Sequence, residues 1–211
     1  MRIKLSLQPV NRHAQIPINY QYPLSAAIYK ILKQASPEYA NFLHNRGYPA
    51  PSGRLMKLFT FSKLWIPGVR RKDATLSSGK NAFWELQVSS PMQEEFVQNF
   101  VLGLFESAEI SIGAQGLHAS FRIEHVEALP MPEFREAMRF KCLSPVVVST
   151  RHEHGGKVQP YYYRPDDESI SEALLKNLLQ KHEIIHDRAP SDTRLLFRLE
   201  ASDQPNSKLI T

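Results

Sequence analysis

The hydrophobic period of this chain switches from two to 3.6 and back again twice, and the order of those switches restricts the fold more than any other feature. MRIKLSLQ alternates polar and apolar residues as a strand does. From Pro23 onward, Leu24, Ala27, Ile28, Ile31 and Leu32 fall on one helical face, and Pro23 suits a first helical position, where its missing N–H costs nothing. LFTFSKLWI (58–66) and AFWELQVSS (82–90) alternate and are rich in aromatics, so both read as strands joined by a long, polar hairpin loop. Ser90-Pro91-Met92-Gln93 has the form of a capping box opening a helix striped with Phe96, Val97, Phe100, Val101, Leu104 and Phe105. Glu109 to Leu129 then returns as extended chain, ISIG followed by LHASFRIEHVEAL.

Strand, helix, strand, strand, helix, strand is the ferredoxin-like order (βαββαβ) of an α+β domain, expected here over residues 1–130. It places both helices on one face of an antiparallel sheet. Pro130-Met131-Pro132-Glu133 reads as a linker, since its prolines discourage either element from continuing. A second unit over 138–211 is expected to hold a strand in FKCLSPVVVST, a hairpin tip in HEHGGKVQP and the aromatic run Tyr161-Tyr162-Tyr163. It continues with a helix behind the capping box Ser169-Ile170-Ser171-Glu172, carrying Ile170, Leu174, Leu175, Leu178 and Leu179, and with a strand RLLFRLEA (194–201). That is only the front half of another ferredoxin-like unit. Its sheet would leave an unpaired edge, so the chain is expected either to be cut short or to be completed by something else.

Composition narrows the class. A chain of 211 residues with 42 % apolar and 22 % charged content suits one large or two small globular domains. No apolar run approaches the roughly 20 residues of a membrane span, and the N-terminus lacks the apolar core of a signal peptide. Cys142 is the only cysteine, which excludes an internal disulfide, makes the cytoplasm the natural compartment, and reads as a small core residue. Between Arg46 and Lys80 stand Arg46, Arg54, Lys57, Lys63, Arg70, Arg71, Lys72 and Lys80 against Asp73 alone, more positive than the whole chain at +5. Loops so charged beside a strand are the footprint expected for a polyanion, with a solvated surface as the plainer alternative.

Three side chains in this region can do chemistry. Ser36-Pro37-Glu38 ends the first helix and starts another: serine as cap, proline at the first position, glutamate favourable to the dipole. Fifteen residues separate Tyr29 from His44, about 22 Å along one straight helix, but the break lets the second helix fold back. His44 lies in the last turn before Gly47, and imidazole is the side chain suited to moving a proton near neutral pH. Lys57 offers a compact charge able to stabilise a phosphorane. Taken singly, a histidine closing a helix is ordinarily a surface residue, such a tyrosine ordinarily core, and such a lysine ordinarily solvated. Other constellations are weaker. His152-Glu153-His154 has no evident third metal ligand, Tyr161-Tyr162-Tyr163 with Arg164 stacks on bases or simply packs, and His182 and His186 share a solvated face. P-loop, GxGxxG and CxxC patterns are absent from the sequence, and neither a metal nor a cofactor is expected.

From Met1 to about Thr150 the chain resembles the CRISPR-associated endoribonucleases of the Cas-six type, within the repeat-associated ferredoxin-like superfamily. The matching motifs are the strand MRIKLSL, IPINYQYPLSAAIY, SPEYANFLH, KLFTFS and the second-unit LSPVVV, in order and suitably spaced. The resemblance implies metal-independent cleavage of precursor CRISPR RNA within its repeats, with a 2′,3′-cyclic phosphate and a 5′-hydroxyl as products. It carries the family's tyrosine, histidine and lysine onto Tyr29, His44 and Lys57, with Arg46, Arg54, Lys63, Arg70, Arg71 and Lys72 as the RNA-binding cations. Repeat RNA is the implied partner; other CRISPR effector-complex subunits and a homodimer stay open, and no membrane is involved. The family usually ends in a glycine-rich loop, yet no glycine follows Gly156 here. Two rivals remain at this point: a non-catalytic repeat-RNA scaffold of the same fold, and a small-molecule or metal-binding ferredoxin-like protein.

Overall fold

The protein is described here by a computed structural model that covers residues 1–197 apart from residues 12, 80, 81, 115, 155 and 165. Two compact units result: Met1–Pro49 with Leu55–Ser144, and Ala50–Arg54 with Pro145–Thr211.

The first unit is built on β1 (Arg2–Pro9), β2 (Gln15–Pro17), α1 (Gln21–Ala35), α2 (Pro37–Asn45), β3 (Tyr48–Pro49), β4 (Leu55–Met56), β5 (Thr60–Phe61), β6 (Arg70–Lys72), β7 (Thr75–Ser77) and β8 (Trp84–Ser89). A π-helical turn (Gln93–Val97) follows, then α3 (Gln98–Ser107), β9 (Glu109–Ala114) and β10 (Leu117–Leu129). Its main sheet is antiparallel in the order β5-β8-β1-β10-β9. Strand periodicity decides which face is buried. Ile3, Leu5 and Leu7 of β1, Trp84, Leu86 and Val88 of β8, and Ala119 and Phe121 of β10 are buried on one side. They join Leu24, Ile28, Ile31 and Leu32 of α1 and Phe96, Phe100 and Leu104 from the second helical segment in one core. The other side is polar, with Lys4 bridging Glu85 at 3.8 Å and Glu127 at 3.5 Å. Such exposed pairs contribute little, about 0–1 kcal/mol.

The two helices meet at Gly103. A methyl group there would overlap the backbone carbonyl of Ile31, so glycine is what lets α3 approach α1. Gly103→Ala is therefore expected to destabilise the fold by about 1–3 kcal/mol through overpacking, despite alanine's better helix propensity of about 1 kcal/mol. A lower urea midpoint would show it; an unchanged or higher one would mean that the helix pair yields.

Several expectations need correction. α1 starts at Gln21 with Tyr20 before it, so Pro23 lies inside the first turn. The run 58–66 is strand only at Thr60–Phe61, with an isolated bridge between Trp65 and Glu85. Leu58 at φ 49° interrupts its start. The long hairpin loop is not structureless, because β6 and β7 pair and join β2 in a small sheet of order β2-β7-β6. Ser90 does not cap a regular helix. Its buried hydroxyl donates to the Leu58 carbonyl at 2.7 Å and accepts from the Met92 N–H at 3.1 Å, and the helix begins with the π turn. LSPVVV is irregular rather than a strand, and Cys142 is exposed, not core. Pro145 has no N–H for a ladder, and Val146 and Val147 lie exposed, without a buried face to favour a strand.

The second unit holds β11 (Ser149–His154) and β12 (Lys157–Tyr162), paired antiparallel, and α4 (Ile170–His186). Gly156, at φ 74°, makes the expected hairpin tip. The helix in 170–186 exists, but Ser169 provides no side-chain cap and none of the helix's residues is fully buried. Residues 194–197 carry no strand, and the rest of the expected strand RLLFRLEA lies outside the described residues. Among the described residues, no helix is long and apolar enough to cross a membrane.

Candidate active site

The site begins at the break between two helices. Ser36 leaves the helical region at φ −148°, ψ 95°, and its hydroxyl accepts the Tyr39 N–H at 3.2 Å, capping α2 as its sequence requires. With Pro37 fixing the first turn, α2 folds back along α1, burying Ala40 and Leu43 in the common core. The consequence is large. Tyr29 and His44, about 22 Å apart along a straight helix, have ring centroids 5.2 Å apart at an interplanar angle of 83°. Tyr29 is half-buried, and that burial raises its phenol pKa, so it remains a hydrogen-bond donor. His44 is exposed, and its Nδ1 lies 3.0 Å from the side-chain oxygen of Asn45.

Lys57 arrives by a short return. Gly47 ends α2 at φ 72°, a conformation that glycine adopts without strain, and a Cβ there would sit 2.6 Å from the Met56 carbonyl oxygen. β3 then pairs with β4, Tyr48 opposite Met56. The next residue is Lys57, and its ammonium donates to the His44 carbonyl oxygen at 2.7 Å. A cation at an unsatisfied carbonyl of a helix C-terminus is favourable. Partial desolvation lowers the Lys57 pKa from the ordinary lysine value. Behind Lys57, the left-handed Leu58 is held through its carbonyl by the buried Ser90 hydroxyl, so the backbone that aims the lysine is fixed from the core.

The structure thus brings Tyr29, His44 and Lys57 close to one another in the first unit, through the Tyr29–His44 ring contact and the Lys57 bond to the His44 carbonyl. The other expected cations fall elsewhere. Arg46, exposed, directly follows α2, and exposed Lys63 donates its backbone N–H to Leu143. Arg70, Arg71 and Lys72 form the exposed strand β6, whose alternation puts Arg70 and Lys72 on one face with Thr75 and Ser77 opposite them on β7. Arg54 belongs to the second unit, in a turn where it accepts the Ala50 N–H. Two participants were not foreseen from sequence. Phe59 meets Tyr29 edge-on at 5.7 Å and stacks on Phe96 at 4.9 Å, tying the tyrosine to the core; the alternation of Phe59 and Phe61 was its one visible trace. Asn45 had none, because neighbours in a helix do not ordinarily face each other. The His182 and His186 rings meet at 4.4 Å on α4, tilted by 46°, and among the described residues no group of three or more histidines, cysteines or acids gathers as a metal site.

Comparison with known proteins decides the family. Residues 15–126 match the sequence model of the CRISPR-associated protein Cas6, N-terminal, and residues 129–210 match that of its C-terminal part. The CRISPR-associated endoribonuclease Cas6 1 of Methanocaldococcus jannaschii is 34 % identical over 187 residues, 88 % of this chain and 67 % of that protein. The chain belongs to the Cas6 family of CRISPR-associated endoribonucleases. A putative CRISPR-associated endoribonuclease-like protein Cas6 of Pyrococcus furiosus is 29 % identical over 215 residues, 100 % of this chain and 80 % of that one. Among solved structures, a CRISPR associated protein Cas6 superposes with a TM-score of 0.69 at 31 % identity, covering 90 % of this chain and 73 % of its own. A Cas6-related protein from Pyrococcus furiosus gives a TM-score of 0.76 at 25 % identity, covering 92 % and 74 %. The two Cas6 matches divide the chain at the end of β10, between residues 126 and 129, and the two sheet-and-helix units are consistent with a duplicated ferredoxin-like architecture.

Proposed function

We propose that this Cas6-family chain cuts precursor CRISPR RNA within its repeats, without a metal ion, by attack of a ribose 2′-hydroxyl on the adjacent phosphate. His44 takes the 2′-hydroxyl proton as the 2′-oxygen–phosphorus bond forms. Lys57 neutralises the charge gathering on the phosphorane oxygens, and Tyr29, held protonated, donates a hydrogen bond that orients the nucleophile. The phosphorus–5′-oxygen bond then breaks, the departing oxygen takes up a proton from solvent, to which the His44 imidazolium returns its own, and the products are a 2′,3′-cyclic phosphate and a 5′-hydroxyl. The observation that carries this reading is that the Tyr29 and His44 rings meet across a helix break with centroids 5.2 Å apart, while the Lys57 ammonium reaches the backbone carbonyl of His44 at 2.7 Å. The exposed cations of β6 with Arg46 and Lys63 supply contacts to the RNA backbone. Repeat RNA, and through it other effector-complex subunits, are the partners.

Incubation with a repeat RNA in excess EDTA tests this directly. Cleavage is expected to persist, with product ends that resist kinase-free ligation at the 3′ side and accept phosphate at the 5′ side. RNA bound but uncut at stoichiometric protein would leave the scaffold reading instead, and a requirement for divalent ions would overturn the chemistry.

A further inference from the structure

We infer that Asn45 is a positioning residue of this site: its side-chain oxygen holds the His44 imidazole with the proton on Nδ1, leaving Nε2 as the atom that takes the proton from RNA. The inference rests on the cleavage reading above and specifies which nitrogen and which orientation it uses. A neutral imidazole has one donor nitrogen and one acceptor, and a carboxamide oxygen can only accept. The 3.0 Å contact between His44 Nδ1 and the Asn45 oxygen therefore makes Nδ1 the donor.

The contact exists because of where α2 stops. Inside a helix, residues one apart diverge and do not meet. Asn45 is the last residue of α2, and Gly47 at φ 72° turns the chain away, so no further turn claims its side chain. The imidazole is then met on two sides, by the Tyr29 ring from α1 and by Asn45 at Nδ1, while Lys57 fixes the backbone beneath it through the His44 carbonyl. Among the described residues Nε2 has no hydrogen-bond partner, and the side chain is exposed, so the basic nitrogen stands open to a substrate. The titratable and charged groups around it are the Tyr29 phenol, the Lys57 ammonium, which contacts the backbone rather than the ring, and Arg46, next but one on the same segment.

The test reads the tautomer and the rate separately, on the full chain. In nitrogen NMR of histidine-labelled protein, with His44→Ala to assign the signal, wild type is expected to show His44 protonated on Nδ1, and Asn45→Ala to shift toward the Nε2-protonated form. In single-turnover cleavage at saturating protein, Asn45→Ala is expected to be about 2- to 10-fold slower, the scale of one such hydrogen bond, with unchanged RNA affinity. Asn45→Asp places a carboxylate beside the ring, stabilises the imidazolium and should move the acidic limb of the pH–rate profile to higher pH. A wild-type ring protonated on Nε2, or an Asn45→Ala protein with unaltered rate, overturns the inference. If His44→Ala itself cuts at full rate, the cleavage reading falls and this inference with it. If His44→Ala is inactive while the Asn45 variants cut like wild type, only the inference falls.

Discussion

Replacing His44 with alanine is expected to slow cleavage by about 10²- to 10⁴-fold, the contribution typical of one positioned acid–base group, while repeat RNA binds nearly as before. The two outcomes separate because different side chains carry them. His44 is exposed and contributes no buried area to the core, so its removal costs the fold little more than an edge contact with Tyr29, about 0.5–1.5 kcal/mol. Binding to the phosphate backbone depends instead on the number of cations engaged and falls with salt accordingly. Single-turnover rates at saturating protein, with affinity measured at fixed salt, distinguish loss of chemistry from loss of grip. Cleavage of normal rate by His44→Ala would remove the histidine from the mechanism, and a matched fall in affinity and rate would make it a binding residue. The same helix end that presents the imidazole is closed by Gly47 and tied by Lys57, so the catalytic candidates share one rigid support.

How much of this was legible beforehand depended on whether the controlling interaction was local. The Ser36-Pro37 break was readable because capping chemistry and proline geometry act within four residues, and the cap is present as a 3.2 Å bond. The alternation of β1 and the stripe of α1 likewise follow from a single period, and both lie buried on the expected faces. What escaped was set across the chain. Nothing near Leu58 announces a left-handed residue; its conformation goes with a hydrogen bond from Ser90, distant in sequence. The pairing of β6 and β7 with β2 joins three-residue strands too short to alternate visibly, and β2 lies more than fifty residues earlier. LSPVVV was misread because β-branched residues favour strands only where a partner strand and a buried face exist, and Val146 and Val147 have neither. At the site, the residue types and the break were legible, whereas the Asn45 contact and the bond from Lys57 to a carbonyl depend on how the end of α2 is closed.

A repeat RNA carrying a single 2′-deoxy nucleotide on the 5′ side of the scissile phosphate is expected to bind with the affinity of the all-ribose strand and to remain uncut. Removing one hydroxyl leaves every phosphate in place, so the ionic contacts that dominate affinity persist. It also removes the nucleophile of the proposed reaction. Tyr29 and His44 stand on the same side of an exposed surface, with the phenol still protonated and one imidazole nitrogen open. A pair so placed can orient and deprotonate a hydroxyl already within the substrate, where proximity replaces the need for a strongly activated water. Lys57 adds one charge at one point, which in the proposed reaction serves a phosphorane formed by an internal nucleophile. Should the deoxy strand be cut at the same position, the attacking group must be water, and the three side chains would have to be reassigned to activating and holding it. Should it be neither cut nor bound, the missing hydroxyl is a recognition element, and the block would say nothing about the nucleophile until a 2′-methoxy strand restored binding without restoring cleavage.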